Sequence, residues 1–302
     1  MSLDTKNSKP RVWSLFLALG FYWLCTFMII GIGIGIAALL AEGANPELMV
    51  EFVGEILETD SVILLGLIST AVSLFLTSIA GAAFSKKNFV ERLSLGPTKG
   101  VRKPLLFALL LTLVGYSAST LIFSAMIDMG FTSPALEMLS EILLEAGAMD
   151  LAVLALLVGI VVPIGEELLF RGYLQTRLKE RWGSKSAILI SALVFALFHL
   201  DVIQSTYTFF IGLLLAVVAD KTKSIRLPIL IHMINNTVSL ILGMLLGDQD
   251  PSLIVYVTAG ALLSAGVLLL MWFQDSILGA NGKTSEEKPS KNTQLNPAAQ
   301  PT

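Results

Sequence analysis

Long apolar runs separated by short polar connections dominate the chain. An α-helix rises 1.5 Å per residue, so about 20 mostly apolar residues cross the hydrocarbon core of a bilayer. Eight runs reach or approach that length: Val12–Ala41, Ser61–Phe84, Pro104–Met126, Leu151–Leu169, Ala187–Leu200, Tyr207–Ala219, Leu227–Leu246 and Ser252–Phe273. The pattern predicts an all-α, polytopic transmembrane helical bundle over residues 1–273. The fifth and sixth runs are short. That predicts a turn around Leu200–Ser205 dipping into a protein-lined interior, where irregular backbone inside a membrane is tolerated. Residues 274–302 are rich in Lys, Glu, Ser, Asn and Pro without apolar periodicity, and read as a disordered polar tail.

The connections carry the charge pattern expected of a chain that crosses at every run. Ser85–Lys103 holds six Lys/Arg and one Glu, Glu42–Asp60 holds six acidic residues and no base, and Asp128–Asp150 holds five acidic residues and no base. Arg171–Lys185 and Lys221–Arg226 are again basic. Cytoplasmic connections collect Lys and Arg, so the alternation predicts about eight spans with both termini cytoplasmic. The first run follows Lys6, Lys9 and Arg11 but far exceeds a signal-peptide core of about 7–15 residues, and reads as an anchor. Glu47/Glu51/Glu55 and Glu137/Glu141/Glu145 are spaced by four, which puts each set on one face of a short interfacial helix. Gly31-Ile-Gly-Ile-Gly35 lacks the preceding strand of a nucleotide-binding loop. Gly31 and Gly35 read instead as a flat packing surface between helices.

Composition agrees with the pattern. The chain is 55% hydrophobic and 14% charged, against about 25% charged in soluble domains. A single cysteine, Cys25, excludes a disulfide framework. With two histidines in 302 residues, all imidazole chemistry falls to His199 and His232. The expected setting is a multi-pass protein of a bacterial-type cytoplasmic membrane, with the lipid bilayer as partner and no nucleic acid.

Candidate chemistry lies where ionisable groups enter apolar runs, because a charge near the bilayer centre costs roughly 2.5–3.5 kcal/mol on insertion scales. Glu166 and Glu167 lie in the second half of the fourth run. Glu167 and Arg171 are i, i+4 with Glu on the N-terminal side, the better orientation for a pair. Glu166 has no such partner and shares a face with Phe170. Desolvation is therefore expected to raise its pKa towards that of a useful general base. The alternative is a helix end near the cytoplasmic surface, with both glutamates paired to Arg171 and Arg177. Phe195 and His199 share one helical face, and His232 and Asn236 share another. Counting 1.5 Å per residue from the basic connections puts Glu166 roughly 18 Å, His199 roughly 21 Å and His232 about 12 Å into the membrane, where they can converge.

Glu166-Glu167-x-x-x-Arg171, Phe195-x-x-x-His199 and His232-x-x-x-Asn236, in that order on separate helices, resemble the three motifs of the CPBP family of intramembrane proteases. That family includes the type II CAAX prenyl endopeptidases and bacterial abortive-infection-type proteins. The resemblance covers about residues 151–246, the protease core. It implies an intramembrane endopeptidase in which Glu166 and His199 activate the attacking water. His232 and Asn236 complete the site as metal ligands or oxyanion stabilisers, with Glu167, Arg171 and Phe195 in support. It further implies a membrane protein or lipidated peptide as substrate, of which a prenylated CAAX segment is one case. A Zn2+ ion on Glu166, His199 and His232 is the implied metal, a two-His, one-Glu set with an open water position. Two other classes stay open: a proton- or cation-coupled transporter using the same Glu and His residues, and a catalytically silent membrane immunity or scaffold protein.

Overall fold

The computed structural model describes residues 13–42, 45–57, 60–85, 87–145, 147–246 and 253–278. Lys6, Lys9, Arg11 and the tail from 279 to 302 lie outside them. Among the described residues every regular element is helical: α1 (Trp13–Glu42), α2 (Pro46–Leu57), α3 (Asp60–Ala83), α4 (Phe89–Arg92), α5 (Pro104–Asp128), α6 (Pro134–Glu145), α7 (Ala148–Leu156), α8 (Val162–Glu167), α9 (Thr176–Leu197), α10 (Val202–Thr222), α11 (Arg226–Leu246) and α12 (Leu253–Leu278). Two π-helical segments, Leu157–Val161 and Leu168–Gln175, join α7 to α8 and α8 to α9.

Among the described residues six helices are long and apolar enough to cross a membrane, and Val255–Met271 is a shorter apolar one. The protein is a multi-pass integral membrane protein. Its α1 turns Phe16, Leu17, Leu24, Phe27 and Ile32 outward, an apolar exterior that lipid solvates. The fourth of the six runs from Leu151 to Leu197, 47 residues. That is about 70 Å at helical rise, more than twice the hydrocarbon core. It is broken at Gly183 (φ 83°, ψ 174°). The chain doubles back there, because Phe170 and Phe195, at similar distances along the chain on either side of Gly183, meet edge to face at 5.2 Å.

The sixth run differs from expectation. The α10 helix is 21 residues long and begins at Val202, because the Asp201 carboxylate caps it by accepting from the Gln204 amide at 2.7 Å. Ser205 and Thr206 then satisfy their hydroxyls on the Ala196 and Val202 carbonyls, so polar residues at the entry do not end the helix. Nor does the preceding turn dip inward. Leu200 is 77% exposed, and Asp201 also accepts from Ser133 at the start of α6.

The basic connections interlock at one end of the bundle. Arg92, 4% exposed, donates to Ser85 and pairs with Glu180, which also holds Lys87 at 2.9 Å. Lys179 and Ser184 converge on Asp220, and Arg226 and Ser224 bond to the carbonyls of Leu95 and Gly96. The α2 and α6 helices form where the spaced glutamates predict helices, with Glu47, Glu51, Glu137 and Glu141 exposed. The side chains of Glu55 and Glu145 lie outside the described residues. The glycine run of α1 packs differently from the expected surface: a Cβ on Gly31 or Gly35 would touch nothing within 4 Å, whereas one on Gly33 would meet Leu65 at 3.0 Å. The phase of α1 turns the middle glycine towards α3.

A Cβ at Gly183 would also meet nothing within 4 Å, so its requirement is conformational. Its dihedrals belong to a region essentially reserved for glycine, at a cost of about 1–3 kcal/mol for other residues. Gly183→Ala is expected to lower the unfolding free energy from mixed-detergent titration by about 1–3 kcal/mol, with a lower midpoint. Gly31→Ala, in open space within a helix, is expected to leave it unchanged or raise it.

Candidate functional site

Pro163 shapes the helix that carries the glutamates. Proline has no N–H to donate, and the chain meets it in a widened register, with the Val162 amide reaching back five residues to the Leu157 carbonyl. In that register the absent donor of Pro163 would have served the Val158 carbonyl. The side chain of Asn236 serves it instead, donating from Nδ2 at 3.2 Å. Asn236 thereby seats α11 on the π turn, and Gly159 lets it come close, since a Cβ there would lie 2.9 Å from the Thr237 hydroxyl. Single-turn π segments of this kind gather at functional sites.

One turn before Asn236, His232 points between the two glutamates. Its Nδ1 is 2.9 Å from Glu167 Oε1 and its Nε2 is 3.6 Å from Glu166 Oε2. Glu167 is fully buried and accepts from Arg171 Nη1 at 2.7 Å. Arg171, also fully buried, donates through Nη2 to the Gly212 carbonyl at 3.1 Å and lies 4.3 Å from the centre of the Phe195 ring. Gly212 is small for a reason: a Cβ would crowd Phe195 at 3.1 Å. Phe195 then touches both histidines edge to face, with centroids 5.1 Å from His199 and 5.7 Å from His232.

Both imidazoles are fixed in one tautomer by what they touch. A carboxylate and a carbonyl only accept, so His232 donates Nδ1–H to Glu167. His199 likewise donates Nδ1–H to the Phe195 carbonyl at 3.0 Å. In its neutral form each ring then presents an unprotonated Nε2. At 3.6 Å, His232 Nε2 and Glu166 Oε2 are too far apart for a direct hydrogen bond and are both acceptors, an arrangement that calls for a shared donor such as water. Glu166 thus has no hydrogen-bonded partner on its own helix, as expected, and faces His232 of α11 across 3.6 Å. His199 sits in the turn just past the end of α9 at Leu197, half-buried, and reaches the others through Phe195.

The donor chemistry suits a metal, with each Nε2 bare and each Nδ1 held from behind. The spacing does not: among the described residues no three His, Cys, Asp or Glu side chains gather closely enough to hold an ion. Glu166 and His232 face each other, while His199 is not part of such a group.

A residue missed from sequence is Gln175, buried one turn beyond Arg171, whose Nε2 donates to the Ala216 carbonyl at 2.8 Å. Its signal was present: Glu167, Arg171 and Gln175 form a polar i, i+4 stripe. Along that stripe Glu167 Oε2, Arg171 Nε and Gln175 Oε1 are buried without a partner.

The model of the family described as type II CAAX prenyl endopeptidase Rce1-like matches residues 148–238. This segment is similar to that family. It contains all three motifs and the π segments. An Escherichia coli protein described as an uncharacterized 24.3 kDa protein is 26% identical to the chain over 136 residues, 43% of this chain and 63% of that relative. The chain thus spans less than two thirds of the curated relative it matches. No solved structure matches it.

Within the Rce1-like segment, Glu167→Gln leaves the Arg171 charge buried without its counter-ion, a loss of about 3–5 kcal/mol for broken buried pairs. The unfolding midpoint in mixed detergent is expected to fall accordingly. Removing both charges together in Glu167→Gln/Arg171→Met is expected to recover much of the loss.

Proposed function

We propose that the protein is an intramembrane endopeptidase, acting through Glu166, that hydrolyses peptide bonds in membrane-associated substrates, with lipidated CAAX-type segments as the first class to test. The observation that carries this reading is the pair of facing acceptors, Glu166 Oε2 and His232 Nε2, 3.6 Å apart beneath a half-buried surface. A water donating one hydrogen to each is oriented with its lone pairs free for attack. The Rce1-like match supports a CAAX-type protease at the level of the family.

In this mechanism the water oxygen attacks the scissile carbonyl carbon and its proton passes to the Glu166 carboxylate. Glu167 holds His232 in the accepting tautomer throughout. Asn236 uses one amide hydrogen on Val158 and has a second to offer the oxyanion, which donors fixed before reaction stabilise best. Glu166 then returns the proton to the leaving nitrogen as the C–N bond breaks, and the remaining proton of the new carboxylic acid passes to the bare Nε2 of His199, which leaves a carboxylate and an amine. Zn2+ would supply Lewis-acid activation of the water, but the ligand spacing does not accommodate it and no step depends on it.

The test is cleavage of a panel of lipidated and unlipidated membrane peptides by the purified protein in proteoliposomes. Glu166→Gln is expected to lower kcat/KM by about 10²–10⁴-fold, the range for removal of a general base. Unchanged cleavage by that variant sinks the assignment.

A further inference from the structure

The end of α9 decides what His199 can bond. Its last amides reach back three residues, His199 to the Ala196 carbonyl at 3.1 Å and Leu200 to the Leu197 carbonyl at 3.3 Å. A continuing α-helix would send the His199 amide four residues back, to the Phe195 carbonyl. Tightening of the last turn releases that carbonyl, and the His199 imidazole takes it through Nδ1 at 3.0 Å. The accepting Nε2 of His199 therefore depends on the turn that follows it.

Leucine does not favour that turn. Leu200 has φ 53°, in the left-handed region where a helix usually ends on glycine. Its side chain is exposed, so packing does little to hold it, and such a conformation persists only where the surroundings over-determine it. The next residue supplies the hold. Asp201 accepts from the Gln204 amide through Oδ1 and from the Ser133 hydroxyl through Oδ2, each at 2.7 Å. Ser133 is buried, and its oxygen in turn accepts from the Leu136 amide at 3.3 Å. A hydroxyl can do both. The N-terminal ends of α6 and α10 thus converge on one carboxylate, the charge that helix N-termini favour. Ser133 lies outside the family-matched residues 148–238.

We propose that Ser133 is a positioning residue for His199. By holding Asp201 it keeps Leu200 in the left-handed turn, and that turn leaves the Phe195 carbonyl free to fix the His199 tautomer. The working site thereby extends to the start of α6. The inference rests on the proteolytic reading of His199 for its kinetic consequence alone, and the experiment has an arm that does not need cleavage.

The chain has two histidines, so full-length protein with 15N-histidine in lipid nanodiscs gives two pairs of ring nitrogen signals. The His199 pair is the one lost in His199→Gln. At a pH where both rings are neutral, a fixed tautomer keeps the Nδ1 and Nε2 signals far apart, and exchange between tautomers draws them together. Ser133→Ala is expected to draw the His199 pair together and leave the His232 pair, held by Glu167, in place. Ser133→Thr keeps the hydroxyl and is expected to keep the wild-type signals. Glycine adopts the left-handed turn without help, so Ser133→Ala/Leu200→Gly is expected to restore the separation, although the lost α6 cap is not repaired. With a cleaved peptide, Ser133→Ala is expected to lower kcat by about 10-fold, the low end for one hydrogen bond to a charged group, with KM unchanged. Unmoved His199 signals in Ser133→Ala overturn the proposal, as does a double variant that behaves like Ser133→Ala. Movement of both histidine pairs together overturns it too, because that reports a general loosening of the fold. Converged His199 signals in a protein whose wild type cleaves none of the panel support the Ser133–His199 coupling and count against the proteolytic reading instead.

Discussion

The buried Glu167 carboxylate is the interaction on which the arrangement of the site depends. Its Oε1 receives Arg171 from the same helix and His232 from α11, at a depth where neither charge can turn to water. The Glu167–Arg171 pair alone would leave lone pairs unsatisfied, and desolvating two charges can cost as much as their attraction returns. Recruiting His232, the Gly212 carbonyl and the Phe195 ring spreads that cost over several partners. The same contacts set the tautomer of His232 and aim its free nitrogen at Glu166. A structural ion pair thus fixes the geometry of the neighbouring carboxylate, and the adjacency of Glu166 and Glu167 in the chain follows.

Backbone irregularity makes this crowding possible. Pro163 removes one donor, the register widens around it, and Asn236 fills the gap that remains at Val158. Glycines stand where another helix comes closest: Gly159 under Thr237, Gly165 under Leu74 and Gly212 under Phe195. Each would lose van der Waals clearance to a single methyl group, so the helices can approach closely enough for short polar side chains to reach across.

Much of this was legible in the chain. The apolar runs gave the helices, and the spacing of Glu166, Glu167, Arg171, Phe195, His199, His232 and Asn236 placed the chemistry on three of them, because an i, i+4 interval is a geometric statement about one helix. What spacing does not contain is the relation between helices. The facing of Glu166 and His232, 66 residues apart, lies outside any one helix, and Asn236 gave no hint of Val158 because a π register leaves no residue-type signature beyond the proline. The length of α10 was hidden for a similar reason. Gln204, Ser205 and Thr206 look like a polar loop until the hydroxyls of Ser205 and Thr206 and the Asp201 cap on the Gln204 amide are seen closing on backbone groups. The choice of Gly33 over Gly31 and Gly35 depended on the rotation of α1 about its axis, which an apolar exterior leaves unmarked.

The local character of the Glu167–Arg171 pair has a consequence for how the chain enters the membrane. The two residues are one helical turn apart, so their charges can neutralise each other as soon as that turn forms, before α10 and α11 have been synthesised. The segment can therefore leave the translocation machinery as an almost neutral helix and await its remaining partners within the bilayer. Glu166 has no such companion on its own helix, and it faces His232 only once α11 is in place. The Glu167–Arg171 charges thus enter the lipid already compensated, and the contacts that reach them from α10 and α11 form last.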